Sequence, residues 1–561
     1  MSSEIWGGAA LGICFFCIII SHFVPPGKNN NNISLQGVFK TLAWLTGVIG
    51  SISLFTIALP YSIQFIYLKT GLSEKLTYNI ITITSLLLFL FGLFLYGSGQ
   101  SKEANDNSQL NRRQQSFVCF YILLIFSVFY ILWLFANPVF YYTMTVIMIT
   151  AELISIFFWF YDPIIYLLSG IIHKKPDKLL PHTPGKKNRF AVIGCAHNEE
   201  NVIAGLIQSV YANTYPRDFY DIYVICDNCN DDTASVVKKE NAIAMERNNP
   251  EKRGKSFGLE WMFHQLDQME ADGIIYDAYI ILDADNLINR EYLDRVNDCL
   301  NEGYEILQTY LGCKNAKDSW ISKSYSLAYW LSNNIYQNAH NKIGLSAQMG
   351  GTGMVFRPSV IREIGWNTDS LTEDLDLTTR YILNKNHSCC WVHDAQIYDE
   401  KPLKIKPSAK QRTRWMQGHM STMIKYVPQL LKKGISKRSM KMIDNAIYLM
   451  RPFLNLLLTC CYFIRWMSII LFPHSFLSDS LFMNARTAFI LAMFYFLLQA
   501  YALWKEKQIH ALLWKPIEFI YSFTWYLPIF RGLVKYRERH WVSTRHTRKM
   551  KLEDIISDKV I

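Results

Sequence analysis

Tyr279-Ile280-Ile281-Leu282-Asp283-Ala284-Asp285 is a short apolar run that stops abruptly on two carboxylates. Four apolar residues, two of them β-branched, predict a strand buried on both faces, and acids at its carboxyl end predict a ligand there. Two upstream runs have the same form. Phe190 to Ala196 precedes a helical pattern over Glu199 to Ala212, and Asp221 to Asp227 precedes another over Asp232 to Lys239. Ala278 to Asp283 is itself followed by a helical pattern over Arg290 to Leu300. Strands alternating with helices predict an α/β, Rossmann-like domain on a mostly parallel sheet.

That domain sits inside a chain of different character. Half of the 561 residues are hydrophobic, and they concentrate in long runs. Ile5 to Val24, Val38 to Tyr67, Tyr78 to Tyr96, Phe117 to Ala136 and Phe140 to Ile172 precede the domain, and Ile443 to Phe472, Leu481 to Trp504 and Ile509 to Leu533 follow it. Each is near or above the roughly 20 residues that cross a bilayer as a helix. The first run lacks a basic lead-in and a cleavage site, so it reads as a retained helix and not as a signal peptide. The expected layout is three extra membrane helices over 1–100, two more over 101–172, a catalytic domain over 173–440, membrane and interface helices over 441–535, and a basic tail over 536–561. Three full crossings there would leave the basic Arg537 to Lys549 tail outside, against the charge rule, so one of them, with the Pro516- and Pro528-interrupted last run as first suspect, reads as interfacial or re-entrant.

The net charge of +11 excludes little by itself. Its clusters, such as Arg112-Arg113, Lys174-Lys175, Lys432-Lys433 and Arg537 to Lys549, lie at the ends of apolar runs, where positive residues mark the cytoplasmic side. The basicity reads as topology plus phosphate handling, and nucleic acid is not an expected partner. The twelve cysteines are scattered. Cys226-x-x-Cys229 has half of a zinc spacing without a second pair, and free thiols fit a cytoplasmic domain.

Four sets of residues carry chemistry. Asp283 and Asp285 suit a hard divalent cation, Mg²⁺ or Mn²⁺, that bridges diphosphate oxygens. Glu199 and Asp227 lie where a ribose or base is bound in such sheets, and Lys255 adds positive charge at a helix start. Thr372-Glu373-Asp374 opens a helix; it reads either as a cap with early-turn acids or as a site in which Asp374 is a general base. Gln411, Arg414 and Trp415 share a helix and combine a polar group, a fixed cation and an indole, which suits phosphate oxygens and the apolar face of a pyranose.

In that order, Asp227, Asp283-x-Asp285, Thr372-Glu373-Asp374 and Gln411-x-x-Arg414-Trp415 resemble the D, DxD, TED, QxxRW signature of processive, membrane-embedded family-2 glycosyltransferases. These are the synthases of cellulose, mixed-linkage β-glucan, poly-N-acetylglucosamine, hyaluronan and chitin. The resemblance covers about residues 186–430. It implies a GT-A fold between transmembrane helices, a UDP-sugar donor, a metal ion and inversion at the anomeric carbon. It also implies that Asp227 contacts uridine, Asp283 and Asp285 the diphosphate and metal, and Gln411 and Arg414 the diphosphate. Asp374 becomes the base beside Glu373, Trp415 floors the acceptor site, and interface helices form around Ser319 to His340 and Ser408 to Val427. Trp541-Val542-Ser543-Thr544-Arg545 is similar to gating elements that close over bound nucleotide, which makes Trp541, Thr544 and Arg545 expected donor contacts.

The expected protein is therefore an integral, multi-pass plasma-membrane enzyme with a cytoplasmic catalytic domain. Its partners are a UDP-sugar, a growing polysaccharide acceptor and the lipid bilayer, and a homo-oligomer is compatible with the sequence. Glucose is the first choice of sugar because Thr-Glu-Asp is typical of cellulose-like relatives. Poly-N-acetylglucosamine and hyaluronan-type synthesis, single transfer to a polyprenyl phosphate, and a transporter with a nucleotide-sensing domain are the alternatives. Trp320, Tyr329, Trp330 and Trp415 are candidate channel aromatics. The three extra N-terminal helices and the absence of room for a regulatory β-barrel depart from the bacterial cellulose synthases.

Overall fold

The computed structural model describes residues 138–366, 370–471 and 485–538, apart from Lys175 and Asp177, together with 548, 550 and 552–554. The apolar runs before residue 137, and Trp541, Thr544 and Arg545, lie outside the described residues. The chain divides into two compact units, Met1–Val146 and Ile147–Ile561, and of the first only 138–146 is described.

In the second unit an eight-stranded sheet has the order β3-β2-β1-β4-β7-β6-β8-β5. The strands are β1 Phe190–Ala196, β2 Tyr220–Asp227, β3 Ile243–Arg247, β4 Ala278–Asp283, β5 Leu287–Ile288, β6 Ile306–Cys313, β7 Met354–Phe356 and β8 Cys390–Asp399. Side chains alternate across the sheet because the strand period is two. In β1, Phe190 and Val192 enter one core and Ala191 and Ile193 the other. The first core is closed by α2 Ile203–Tyr211, α3 Thr233–Lys239 and α5 Tyr292–Asn301, and the second by α4 Lys255–Ala271, α6 Trp320–Leu331 and α8 Glu373–Lys385. The layers are therefore helix, sheet, helix. The remaining helices are α1 Pro138–Leu168, α7 Pro358–Ile364, α9 Ile405–Ser436, α10 Met440–Leu471, α11 Ala485–Lys505, α12 Lys515–Phe523 and α13 Tyr526–Val534.

The sheet is mixed but mostly parallel, as the sequence predicts: six strands share one direction, and only the short β5 and β7 run against their neighbours. The β3-β2-β1-β4 half is parallel, but β7 runs against both β4 and β6, and β5 runs against β8. The strand–helix alternation that signals parallel pairing ends at α5. β7 is three residues long, too short to show a period in sequence, and it arrives from a glycine-rich loop instead of a crossover helix. What the parallel half sets is the position of the ligand crevice. β2 and β3 extend from one side of β1 and β4 from the other, so the chain reverses direction of travel between β1 and β4, where open α/β sheets bind ligands.

Among the described residues one helical stretch, Ile149–Leu168, is long and apolar enough to cross a bilayer, and Ile490–Lys505 is apolar but shorter. The run Ile509 to Leu533 is not a single helix. It breaks into a 3₁₀ stretch, Ile509–Trp514, and the nine-residue helices α12 and α13, each only about 14 Å long at 1.5 Å per residue. Farther on, Arg548 pairs with Asp318 and its N–H donates to Glu400 Oε2 (3.2 Å), while Leu552 is buried against Leu287 and Tyr398. These contacts put Arg548 and Leu552 on the same side of any bilayer as the sheet.

α9 is the beam that joins the two regions. It packs along α10 and α13, and a Cβ at Gly532 of α13 stands 2.5 Å from Met416 Cβ and 2.7 Å from Met416 carbonyl carbon. Backbone approach this close admits no side chain. Gly532→Ala is expected to destabilise the fold by about 1–3 kcal/mol through overpacking, read as a lowered unfolding midpoint of the purified protein in detergent.

Candidate active site

In the parallel ladder Cys195 of β1 lies opposite Asp283, and Ala196 lies opposite Cys226, one residue before Asp227. The ends of β4, β1 and β2 are therefore level, and they open onto a cavity of about 730 Å³. Its strand-end wall carries Glu199, Asp227, Lys255, Asp283 and Asp285, and its opposite wall carries Glu373, Asp374, Gln411, Arg414 and Trp415. Every expected site residue that the structure describes faces this one space. The cavity also reaches Tyr448, Arg451 and Asn455 of α10 and Trp525, Tyr526 and Ile529 at α13.

The acids at the strand ends are each held by a cation or an N–H group. Asp227 is buried; its Oδ1 pairs with Arg247 at the end of β3, and its Oδ2 accepts the Gly254 N–H (3.2 Å) at the start of α4. It thereby neutralises part of that helix's positive end. Lys255 Nζ contacts Asp283 Oδ1 and the Gly351 carbonyl oxygen, both at 2.5 Å, so its charge lies beside the Asp283-Ala284-Asp285 motif. Burial works against the Lys255 ammonium, but the Asp283 carboxylate overrides it and raises Lys255 above its ordinary value. Asp285 Oδ2 accepts the Glu400 N–H at 2.6 Å, and buried Lys314 donates to the Asp285 carbonyl oxygen at 2.7 Å.

Asp374 lies in the first turn of α8. Burial, followed by the neighbouring Glu373 charge, pushes its carboxyl up to about 7, although the Leu375 N–H at 2.8 Å and the Lys255 and Arg414 cations oppose the rise. A carboxyl poised there suits proton transfer near neutral pH. Thr372 is at the cap position, but its side chain makes no capping hydrogen bond. Its nitrogen instead stands 2.8 Å from where a Cβ of Gly418 in α9 would be. The Thr-Glu-Asp turn and the Gln-x-x-Arg-Trp helix therefore touch through a glycine.

On α9, Gln411 Oε1 accepts from Tyr325 of α6 (3.4 Å), and Trp415 packs edge-on against the same ring. Arg414 has no hydrogen-bond partner among the described residues. Its neighbour Arg412 is wholly buried, donates to Thr524 Oγ1 (2.8 Å), and lies over the rings of Tyr521 and Trp525 at 4.6 and 4.9 Å. Of the four expected aromatics, Tyr329 and Trp415 line the cavity. Trp330 is core, packed on Trp514, and Trp320 sits at the surface edge-on to Tyr521, because α6 turns those positions away.

Several contributors were not singled out in sequence. Gly350-Gly351-Thr352-Gly353 forms the loop behind the motif: Thr352 Oγ1 accepts the Asp283 N–H (3.1 Å), and Gly353, at φ +63°, is held where a Cβ would strike Thr309. Its four-residue glycine-rich run was a legible signal. Asp399 and Lys401 form a second pair at 2.7 Å beneath Tyr329, whose ring centre is 3.4 Å from the ammonium. Arg247, Arg412, Lys314 and Arg451 gave no signal.

Residues 187–418 match the model of a family described as glycosyltransferase like family 2. A β-monoglucosyldiacylglycerol synthase of Trichormus variabilis is 25% identical over 279 residues, covering 48% of this chain and 57% of that protein. Glucomannan 4-β-mannosyltransferase 7 of Arabidopsis thaliana is 24% identical over 382 residues, 65% of either chain. The structure of a Pyrobaculum calidifontis mannosyltransferase in complex with GDP-Man and Mn²⁺ aligns with a TM-score of 0.45 at 18% identity, covering 70% of this chain and 98% of that one. Over residues 187–418 the chain is thus similar to family 2 glycosyltransferase domains. The chain spans little more than half the length of the synthases it matches.

Two outcomes follow from this geometry. If Asp374 acts deprotonated, kcat/KM falls on the acid side of about pH 7, because the raised carboxyl takes up its proton there; a pH–rate profile of nucleotide release reads the limb. Gly418→Ala is expected to push Thr372 off α9 and lower kcat more than it raises donor KM, with about 1–3 kcal/mol lost from stability.

Proposed function

We propose that this chain is a membrane-bound, inverting β-glycosyltransferase. It takes a UDP-sugar, first choice UDP-glucose, and extends a β-linked polysaccharide that leaves through its own helices. The supporting observation is the extent of the cavity. It is lined by the strand-end acids and Asp374 and also by Trp415, Trp525, Tyr448 and Asn455, so indoles and hydrogen-bonding groups share its walls. That lining suits a carbohydrate, whose rings stack on aromatics and whose hydroxyls need partners.

In this reading Glu199 and Asp227 hold the nucleoside, and Gln411 and Arg414 grip the diphosphate. Asp374 takes the proton from the acceptor hydroxyl as that oxygen attacks the anomeric carbon from the face opposite the leaving nucleotide, which inverts the configuration. Trp415 supports the acceptor ring, and Glu373 keeps the Asp374 carboxyl basic enough to accept the proton. The donor set at Asp283 and Asp285 fits Mg²⁺ or Mn²⁺. No cluster of three or more metal-binding groups occurs among the described residues, so two carboxylates would leave the other positions to phosphate oxygens and water, as Mg²⁺ prefers. When bound, the metal ion neutralises charge on the departing diphosphate.

A multi-pass plasma-membrane location is part of the same proposal. It draws on the apolar runs of the sequence, on Ile149–Leu168, and on exposed apolar side chains of α12 and α13 such as Phe519, Phe523 and Phe530. A second reading, transfer of a single sugar to a lipid, draws on the similarity to glucosyldiacylglycerol synthases. Membranes given single UDP-sugars with Mn²⁺ separate the two. The expected result is UDP release with a long, glycosidase-sensitive product, and a fall of about 10²-fold or more in Asp374→Asn. A product one sugar long favours the lipid acceptor, and turnover retained in Asp374→Asn removes the assigned base.

A further inference from the structure

The turn Cys226-Asp227-Asn228-Cys229 places two thiols around a site residue, and the transfer reaction uses neither. Both are free. They lie on one face of the sheet: Cys226 is buried in the core shared with α2 and α3, and Cys229 packs, partly buried, on that same core. Their separation is set by β1. Cys226 stands opposite Ala196 in the parallel ladder, where strands are about 4.8 Å apart, and the Cys229 sulfur lies 3.7 Å from the Ala196 carbonyl oxygen. The two thiols thus meet the same end of β1, Cys226 through the ladder and Cys229 through its sulfur.

The thiols are not equivalent. The neighbouring Cys226 thiol lowers the Cys229 thiol against the effect of burial, and the Asn198 N–H, 3.4 Å from its sulfur, adds to this. The Cys229 neighbour and burial raise Cys226. Cys229 is thus the nucleophile, and Cys226 is the thiol poised to resolve it.

We propose that Cys226 and Cys229 form a reversible disulfide under hydroperoxide and that this disulfide weakens donor binding at Asp227. The inference rests on the reading of Asp227 as a donor contact. The Cys229 thiolate attacks the peroxide: an S–O bond forms, the O–O bond breaks, and the leaving hydroxide takes a proton and departs as water. The Cys226 sulfur then attacks the sulfenic sulfur. An S–S bond forms, the S–O bond breaks, and the Cys226 proton leaves with the hydroxide as a second water. Two thiols and one hydrogen peroxide give one disulfide and two waters, and a dithiol reductant reverses the change.

The disulfide acts on Asp227 through the turn. An S–S bond is about 2.05 Å, well inside the contact distance of two free thiols, so the sulfurs must close. Cys226 is fixed in the β2 ladder and the core, which leaves the turn to move. Asn228 holds that turn at φ +51°, with its N–H on the Arg247 carbonyl oxygen (2.7 Å) and its Oδ1 accepting from Asn249 (2.8 Å). Drawing Cys229 inward twists Asn228 and shifts the Asp227 carboxylate from Arg247 and the Gly254 N–H.

The test uses the full chain in membranes, treated with hydrogen peroxide and then N-ethylmaleimide. Digestion and mass spectrometry read the 226–229 peptide, and UDP release reads donor KM. The expected result is an internal disulfide, two hydrogens lighter, with donor KM raised about tenfold, the cost of one charge-assisted hydrogen bond, and restored by dithiothreitol. C229S keeps its basal KM and loses the peroxide response. C226S forms no disulfide, and its Cys229 sulfenic acid is trapped by dimedone. The proposal is overturned if peroxide lowers activity without this disulfide, if the cross-linked chain keeps its KM, or if C229S responds as the parent does. Because the cross-link is read by mass, a chain that turned over no UDP-sugar would defeat the donor reading, whereas absence of the cross-link defeats this one.

Discussion

Parallel register among β4, β1 and β2 leaves three strand ends level, so that carboxylates from distant parts of the chain meet at one edge of the sheet. The carbonyl groups and acids gathered there make that edge negative, and the rest of the site is arranged to tolerate it. Arg247 neutralises Asp227, Lys255 neutralises Asp283, Lys314 sits between Asp285 and Glu400, and Lys401 holds Asp399. Removing one member of such a buried pair leaves an uncompensated charge, so these cations are part of the fold as much as of the site.

Asp374 makes no ion pair of its own among the described residues. Lys255 and Arg414 act on it from a distance, and burial beside Glu373 outweighs them. The contrast with Asp227 is instructive. Both lie next to the start of a helix, but Asp227 is tied down by an Arg and a backbone N–H, whereas the Asp374 side chain accepts the Leu375 N–H and keeps a face toward the cavity. Environment, and not residue type, separates a fixed binding group from a group able to exchange a proton.

The second constraint is close backbone approach. Gly418 lets the Thr-Glu-Asp turn rest on α9, and Gly532 lets α13 rest on the next residue pair along it. Wholly buried Arg412 then bolts α9 to Tyr521, Thr524 and Trp525. A single helix thus carries Gln411, Arg414 and Trp415 toward the cavity and packs on the apolar C-terminal helices α10 and α13.

Local sequence was enough to place β1 and β4 at their observed bounds and to mark Asp227, Asp283, Asp285, Glu373, Asp374, Gln411, Arg414 and Trp415, because strand ends and helix starts are written in short-range patterns of apolarity and charge. It did not reveal that β7 runs against its neighbours, that Lys255 turns to Asp283, that Trp330 is core, or that Arg412 and not only Arg414 matters. Those depend on which side chain lies opposite which, and three-residue strands and single cations carry no period from which partners can be read. The order of motifs along the chain was a property of the sequence. Their meeting around one cavity was decided by register and by glycine-sized gaps between helices, which exist only once the layers have packed.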